Sequence, residues 1–144
     1  MRRICTLVVL LLVLSTFAAA SQSYVVSGTI RGIDAEGTLF VALFDETGWD
    51  AAPDIDEGYV QGLSYDLDGA EVLEYRFEDV PPGRYAIRAF VDANGNQDLD
   101  MGMLGPREPW GVFEKSGPIL GPPKFDNLSF EVAADIRNAD FEMR

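Results

Sequence analysis

The sequence predicts an all-β protein, an antiparallel β-sandwich of about seven strands with one long ordered loop. Three observations support this fold class. Several windows alternate between apolar and polar residues with period two, as half-buried strands do. Turns rich in Gly, Pro and Asp separate these windows. No window after the first 20 residues keeps a helical period, so we expect strands throughout the rest of the chain.

The first 20 residues read as a secretory signal peptide. Arg2 and Arg3 precede an apolar stretch at residues 4–17, and three alanines follow at residues 18–20. The alternative is an uncleaved membrane anchor, but the apolar stretch is shorter than the roughly 20 residues that span a bilayer. We therefore expect cleavage after Ala20, which leaves residues 21–144 as a single β-sandwich domain, secreted or periplasmic, with no transmembrane segment.

The composition excludes several classes of function. The only cysteine, Cys5, lies within the signal peptide and too near its start for a lipoprotein attachment site, and the chain has no histidine. Thiol nucleophiles, histidine-dependent triads and the usual zinc ligand sets are therefore excluded from the mature chain. Cleavage removes Arg2 and Arg3 but no acidic residue, so the net charge moves from −13 to −15. Such an acidic surface repels phosphate backbones and predicts no nucleic-acid partner.

The alternating windows predict the strands in order. They lie at residues 24–31, 38–44, 63–67, 73–77, 84–91, 128–132 and 139–143. The second window is apolar on both faces, as expected for a central strand, and Phe90 breaks the alternation of the fifth. The apolar faces predict a core that contains Val26, Val41, Leu73, Phe77, Ile87, Phe130 and Phe141.

Two stretches do not fit a ladder of strands. Residues 45–58 contain Trp49, Pro53 and six acidic residues, and we expect an exposed loop there. Residues 92–127 exceed the length of about 12 to 15 residues above which structureless loops are uncommon, so this segment needs an organiser. Prolines fix φ and lower the entropy lost on ordering, and the segment holds five of them: Pro106, Pro109, Pro118, Pro122 and Pro123.

The start of the long segment, "DANGNQDLD", is a candidate calcium site. Oxygen-bearing side chains occupy alternate positions, as in calcium loops: Asp92, Asn94, Asn96, Asp98 and Asp100. The match to an EF-hand is partial, because Gly95 is one residue early and Met103 replaces the final glutamate. A more distant carboxylate would then complete the shell, with three candidates: Asp45, Glu108 and Asp126. Magnesium fits less well, because it demands a stricter octahedron. The alternative is an ion-free polar turn, since Asn and Asp bond their own backbone.

Four further residues are candidates for ligand binding. Trp49 and Trp110 are flanked by loop residues and would offer a stacking platform for a sugar or a peptide. Arg107 and Glu108 lie between two prolines and would face a ligand. The alternatives are that the tryptophans cover the edge of the sandwich and that Arg107 and Glu108 form an exposed ion pair.

Three segments together resemble a known family. They read "FEDVPPGRYAIRAFVDANGNQDLD", "LGPREPWGVF" and "GPPKFDNLSFEV". In order and spacing, residues 28–132 resemble the bacterial secreted proteins grouped as domain of unknown function 2141. The resemblance implies a transthyretin-like, Ig-like sandwich and no established activity. Ala93 and Gln97 stand where the family commonly has Glu and Gly, and Asp98 stands where Lys is frequent.

These observations predict a non-enzymatic module with a binding or structural role at the cell envelope. The expected partner is an envelope protein or a glycan, and calcium is the only cofactor that the residues suggest. The alternative function is a small carbohydrate-active enzyme that uses two carboxylates from the acidic loops. A third alternative is a subunit of a larger surface assembly, because open sandwiches present edge strands that a partner can extend.

Overall fold

The computed structural model describes residues 21–51, 58–114 and 123–144, and within them strands dominate. The strands are β1 (Tyr24–Arg31), β2 (Thr38–Phe44), β3 (Gln61–Asp66), β4 (Val72–Val80), β5 (Gly83–Asp92), β6 (Met101–Gly102), β7 (Gly105–Pro106), β8 (Trp110–Val112), β9 (Phe130–Val132) and β10 (Phe141–Glu142). The two helices are α1 (Glu46–Ala51) and α2 (Phe125–Leu128). The predicted signal peptide lies outside the described residues.

The strands form two main sheets and a small hairpin. One sheet has the order β10-β1-β4, and the other has the order β3-β2-β5-β8, with β9 pairing to another part of β5. Strands β6 and β7 pair with each other. All pairings between these strands are antiparallel except that of β1 with β10. The predicted all-β sandwich is confirmed.

The main core lies between the two sheets. Six of the seven predicted core residues are buried there: Val26, Val41, Phe77, Ile87, Phe130 and Phe141. Leu73 is only half-buried and packs against the margin of the core. The reason is its place near the start of β4, next to the exposed Val72, since Phe77 further along the same strand is fully buried. The alternation thus predicted which face of each strand is buried, but not how completely.

A second apolar cluster covers the outer face of the β3-β2-β5-β8 sheet. Phe90 points to this face, where its ring stacks on Phe40 with 5.2 Å between centroids. This explains why Phe90 interrupts the alternation, since β5 is buried on both faces. Residues of both helices pack on the same cluster, namely Trp49, Phe125 and Leu128.

The expectation of an exposed loop at residues 45–58 was wrong for its first part, because helix α1 begins there. Asp45 caps this helix: its Oδ1 atom accepts a 2.7 Å hydrogen bond from the Gly48 amide. The cap lets the chain turn back over the sheet, which buries Trp49 at 7% exposure. Pro53 lies outside the described residues.

The C-terminal segment completes the edge of the β10-β1-β4 sheet in an unusual way. The Val25 amide donates to Asp135 Oδ1 at 3.0 Å, and the Thr29 amide donates to Asp140 Oδ1 at 2.8 Å. Two aspartate side chains therefore take acceptor positions that a neighbouring strand would otherwise fill. The residue between them in the ladder, Gly28, lies so close to this segment that a Cβ atom there would be 2.2 Å from the Ala139 carbonyl oxygen. Because the side chain of Asp140 takes the place of a backbone acceptor, the predicted strand at residues 139–143 is shorter in the structure and comprises only the two residues of β10.

The long segment at residues 92–127 is more regular than expected. It contains β6, β7 and β8, and α2 begins within it. Two of its five prolines, Pro118 and Pro122, lie outside the described residues. Within residues 21–51, 58–114 and 123–144, neither helix has the length and apolar character needed to cross a bilayer.

Candidate functional site

The predicted calcium loop begins at a buried carboxylate. Asp92 is the last residue of β5 and is only 4% exposed. Its Oδ1 atom accepts hydrogen bonds from the amides of Gly95 at 2.7 Å and Asn96 at 3.2 Å. Its Oδ2 atom accepts a 2.9 Å hydrogen bond from the amide of Gln97. The Asp92 carboxylate therefore holds the following turn in shape through three backbone donors.

A second buried carboxylate holds the same loop from its other side. Glu108 is 8% exposed. Its Oε1 atom accepts a 2.9 Å hydrogen bond from the Ala93 amide, and its Oε2 atom accepts a 3.2 Å hydrogen bond from the Asp100 amide. One side chain thus joins the two ends of the loop that residues 93–100 form. The interpretation of Glu108 as half of an exposed ion pair was wrong, because the backbone of this loop occupies both of its oxygens.

The guanidinium of Arg107 does not contribute to the hydrogen bonds that hold the loop at residues 93–100. Its side chain is exposed, and its backbone amide donates a 2.8 Å hydrogen bond to the Asp100 carbonyl. Among the described residues, no ion pair joins Arg107 to Glu108. The two neighbours in the sequence therefore serve different purposes.

Three of the predicted calcium ligands meet on the exposed side of the loop. The side chains of Asn94 and Asn96 each donate a hydrogen bond from Nδ2 to one carboxylate oxygen of Asp100, at 2.6 and 3.3 Å. Asn94 Oδ1 accepts from the Asn96 amide, and Asn96 Oδ1 accepts from the amide of Asp98, both at 3.0 Å. The Asp98 side chain is exposed, and its backbone alone joins the network. Asn and Asp side chains that bond neighbouring amides in this way are typical of polar turns.

Gln97 adopts a backbone conformation that favours glycine. Its φ is 68°, in the left-handed region that glycine adopts at little cost, and Gly95 nearby has a φ of 79°. The hydrogen bond from the Gln97 amide to Asp92 holds this conformation. The loop thus contains a left-handed turn at Gln97, a residue other than glycine.

Calcium binding stays a prediction for this loop. An ion would have to replace the amide donors that now face Asp100, or the backbone donors that face Asp92. In the described part of the chain, no three or more acidic side chains are placed to hold a metal ion. Of the three distant carboxylates, Asp45 caps α1, Asp126 lies 3.2 Å from the Arg84 guanidinium, and only Glu108 reaches the loop.

The two tryptophans occupy different surroundings. Trp49 is buried, and the guanidinium of Arg88 lies 3.9 Å from the centre of its ring system. Stacking of a ligand on Trp49 would therefore require displacement of Arg88. Trp110 is half-buried at the start of β8, where the Arg144 guanidinium lies 5.4 Å from its ring centre. The four predicted ligand-binding residues, Trp49, Arg107, Glu108 and Trp110, contribute to separate features of the structure.

The structure adds an aromatic cavity that the sequence did not predict. It lies on the outer face of the β3-β2-β5-β8 sheet and has a volume of about 350 Å³. Its lining combines aromatic, small and neutral polar residues, chiefly Phe40, Ala42, Tyr59, Gly62, Ser64, Phe90 and Gln97. The available signals were the break at Phe90 and the doubly apolar pattern of β2, which together indicate a covered outer face. We call this feature the aromatic cavity.

The comparisons with known proteins give the family. The sequence model of a family described as "Uncharacterized protein conserved in bacteria (DUF2141)" matches residues 29–139. No curated protein and no solved structure matched the chain. The transthyretin-like detail of the expected fold therefore stays a prediction. Because the match covers most of its length, the chain belongs to this bacterial family, domain of unknown function 2141.

Proposed function

We propose that this protein is a non-enzymatic β-sandwich module that acts outside the cytoplasm, with a binding or structural role at the cell envelope. One observation carries the proposal. The buried carboxylates Asp92 and Glu108 both accept hydrogen bonds from the backbone of one loop. The acidic residues best shielded from water are therefore used to build a rigid loop on a rigid sandwich, which is an arrangement typical of binding modules.

The alternative, a carbohydrate-active enzyme with two catalytic carboxylates, lacks such support. That chemistry needs two carboxyl groups at a fixed separation, with one of them held protonated by its surroundings. Among the described residues, Asp92 and Glu108 are the buried charged side chains. Each already accepts hydrogen bonds from backbone N–H groups at both oxygens, whereas a catalytic acid must offer a proton to the substrate.

The location outside the cytoplasm rests on the signal sequence at residues 1–20. The test is to express the full chain in a bacterium and to determine the N-terminus of the protein in each fraction by mass spectrometry. We expect an N-terminus near Ser21 in the periplasm or the medium. Intact Met1 in a membrane fraction would contradict both cleavage and the proposed location.

The absence of catalysis is tested with the mature protein, residues 21–144. We expect no turnover of glycans, esters or peptides. The decisive variants are Asp92→Asn and Glu108→Gln, with Glu131→Gln as a control at an exposed position on β9. The enzyme would be favoured if the wild type and Glu131→Gln turned over a substrate and either Asp92→Asn or Glu108→Gln did not. Circular dichroism must show that all three variants are folded.

A further inference from the structure

We propose that the aromatic cavity binds an uncharged sugar ring. This inference rests on the proposed binding role and gives that role a site and a class of ligand. The volume of about 350 Å³ lies near the lower end of the range of roughly 300 to 1,000 Å³ typical of ligand sites. The cavity is therefore large enough for a small ligand or for one unit of a longer chain.

The walls of the cavity are aromatic. One face of the Phe40 ring stacks on Phe90, with an angle of 21° between the ring planes. Phe40 is half-buried and lines the cavity, so its opposite face is available to a ligand. Tyr59 is 46% exposed and meets Phe44 edge-on at 6.5 Å. Aromatic rings that stay partly exposed on a folded protein are suited to stacking against the C–H face of a sugar.

Small residues on β3 create the space between these walls. In the strand register, Ser64 pairs with Phe40, and Gly62 pairs with Ala42. Tyr59 lies over Gly62, because a Cβ atom on this glycine would be 3.0 Å from the tyrosine ring. A larger side chain at either β3 position would project between the aromatic walls. The cavity therefore depends on the two smallest side chains of this edge strand.

The polar groups at the cavity are neutral. Ser64 and Tyr59 carry hydroxyl groups and Gln97 carries an amide, and none of the described residues that line the cavity is charged. These groups both donate and accept hydrogen bonds, as sugar hydroxyls require. The net charge of −15 after signal cleavage disfavours anionic ligands. The combination of aromatic faces with neutral hydrogen-bonding groups favours a neutral sugar over a charged one.

The hydrogen bonds of the neighbouring loop position one of these groups. The amide of Gln97 donates to Asp92 Oδ2 at 2.9 Å, and the residue is held at a φ of 68°. Because Gln97 also lines the cavity, the buried carboxylate fixes the backbone that carries the cavity's amide group. The loop and the cavity are thus joined through the backbone of Gln97.

The test is titration of the mature protein with neutral oligosaccharides, followed by calorimetry and by NMR chemical shifts. The probes are tetramers of β-1,4-linked glucose, α-1,4-linked glucose and β-1,4-linked N-acetylglucosamine, with tetragalacturonate as an anionic control. We expect at least one neutral tetramer to bind, with shifts at the amides of Gly62, Ser64 and Gln97. Tetragalacturonate should not bind.

Matched variants assign the site. Tyr59→Ala removes one wall, and Ser64→Asp places a negative charge in the cavity. We expect each to weaken sugar binding by about tenfold or more, because a stacking or hydrogen-bonding contact is lost. Tyr24→Ala and Ser27→Asp make the same changes on β1, in the other sheet, and should bind like the wild type. Circular dichroism and thermal unfolding confirm that each variant is folded.

Three results would overturn the inference. The first is that no neutral tetramer binds at 10 mM, and the second is binding that Tyr59→Ala and Ser64→Asp leave unchanged. The third is binding of the anionic tetramer as tightly as the neutral ones. None of these results would contradict the proposed non-enzymatic role, which is tested separately. Chromatography of the same mixtures separates the two proposals, since cleavage of a tetramer would contradict the non-enzymatic role itself.

Discussion

The hydroxyl of Tyr75 donates a 2.6 Å hydrogen bond to the carbonyl oxygen of Ala139 inside the core. The contact joins β4 to the C-terminal segment across Gly28, whose missing side chain lets that segment approach. Burial raises the pKa of Tyr75, and the negative charge of Asp140 adds to the effect. The hydroxyl therefore stays protonated and able to donate well beyond pH 10, which is its ordinary pKa.

Replacement of Tyr75 by Phe should destabilise the protein by about 1 to 3 kcal/mol, because the Ala139 carbonyl loses its hydroxyl donor while it stays buried. Urea unfolding at neutral pH measures the change. Tyr24→Phe is the control, since its hydroxyl contacts Gln22 at the exposed surface at 3.5 Å. Its effect should be within about 0.5 kcal/mol. Equal stabilities of the two variants would show that the Tyr75 hydrogen bond contributes no net stability.

Replacement of Glu108 by Gln should loosen the loop at residues 93–100. The variant side chain has an NH2 donor in place of one oxygen, and this donor would face the backbone amide of Ala93 or Asp100, which then loses its acceptor. We expect a loss of about 1 to 3 kcal/mol in the free energy of unfolding. Amide hydrogen exchange at these two residues should also become faster. The control is Glu131→Gln on β9, and unchanged exchange in Glu108→Gln would contradict the clamping role.

Asp135 should make the protein sensitive to acid. The hydrogen bond from the Val25 amide, together with Arg137, lowers the pKa of Asp135 below its ordinary value of 3.8. A lowered pKa in the folded state stabilises the protein above pH 3.8, and this contribution disappears as the pH falls through the lower folded value. Wild type and Asp135→Asn should therefore differ in stability at pH 6 and converge towards pH 2.

The measurement for Asp135 is urea unfolding at intervals between pH 2 and pH 6. Asp34→Asn, at an exposed position, controls for the loss of one negative charge. A difference between wild type and Asp135→Asn that stays constant over this range would refute the proposed origin of the acid sensitivity.

Calcium binding at Asp92, Asn94, Asn96 and Asp100 would raise the stability of the folded state. At about 100 times the dissociation constant, the linkage is worth about 2.7 kcal/mol. Sites in extracellular modules often bind at about 10⁻⁴ to 10⁻³ M, so calcium in the millimolar range should raise the unfolding midpoint. The measurement is thermal unfolding with calcium and with a chelator.

Asp100→Asn provides the specific test of the ion, because it removes one charge and keeps the size of the side chain. The calcium-dependent rise should vanish in this variant and persist in Asp34→Asn. Equal midpoints of the wild type with up to several millimolar calcium and with chelator would contradict calcium binding. The loop would then be a polar turn held by the hydrogen bonds between residues 92 and 100 alone.

The strands were predictable because their signal is local. A strand with one buried face alternates with period two, and this pattern placed Val26, Phe77 and Ile87 in the core. Helix α1 was not predictable in the same way, because its six residues are too few to show a helical period. The acceptor oxygen of Asp45 and the apolar surface beneath Trp49 stabilise it instead.

The sequence by itself determined the all-β class, the faces that meet in the core, the family and the polar character of the loop after β5. Only the tertiary structure decided what the buried acidic residues do, because the donors that occupy Glu108 come from positions 8 and 15 residues earlier in the chain. The aromatic cavity likewise needs Phe40, Tyr59 and Phe90, which strand register and chain folding bring together. Periodicity fixes which face of a strand is apolar, but contacts between distant segments fix which of those side chains stay exposed around a cavity.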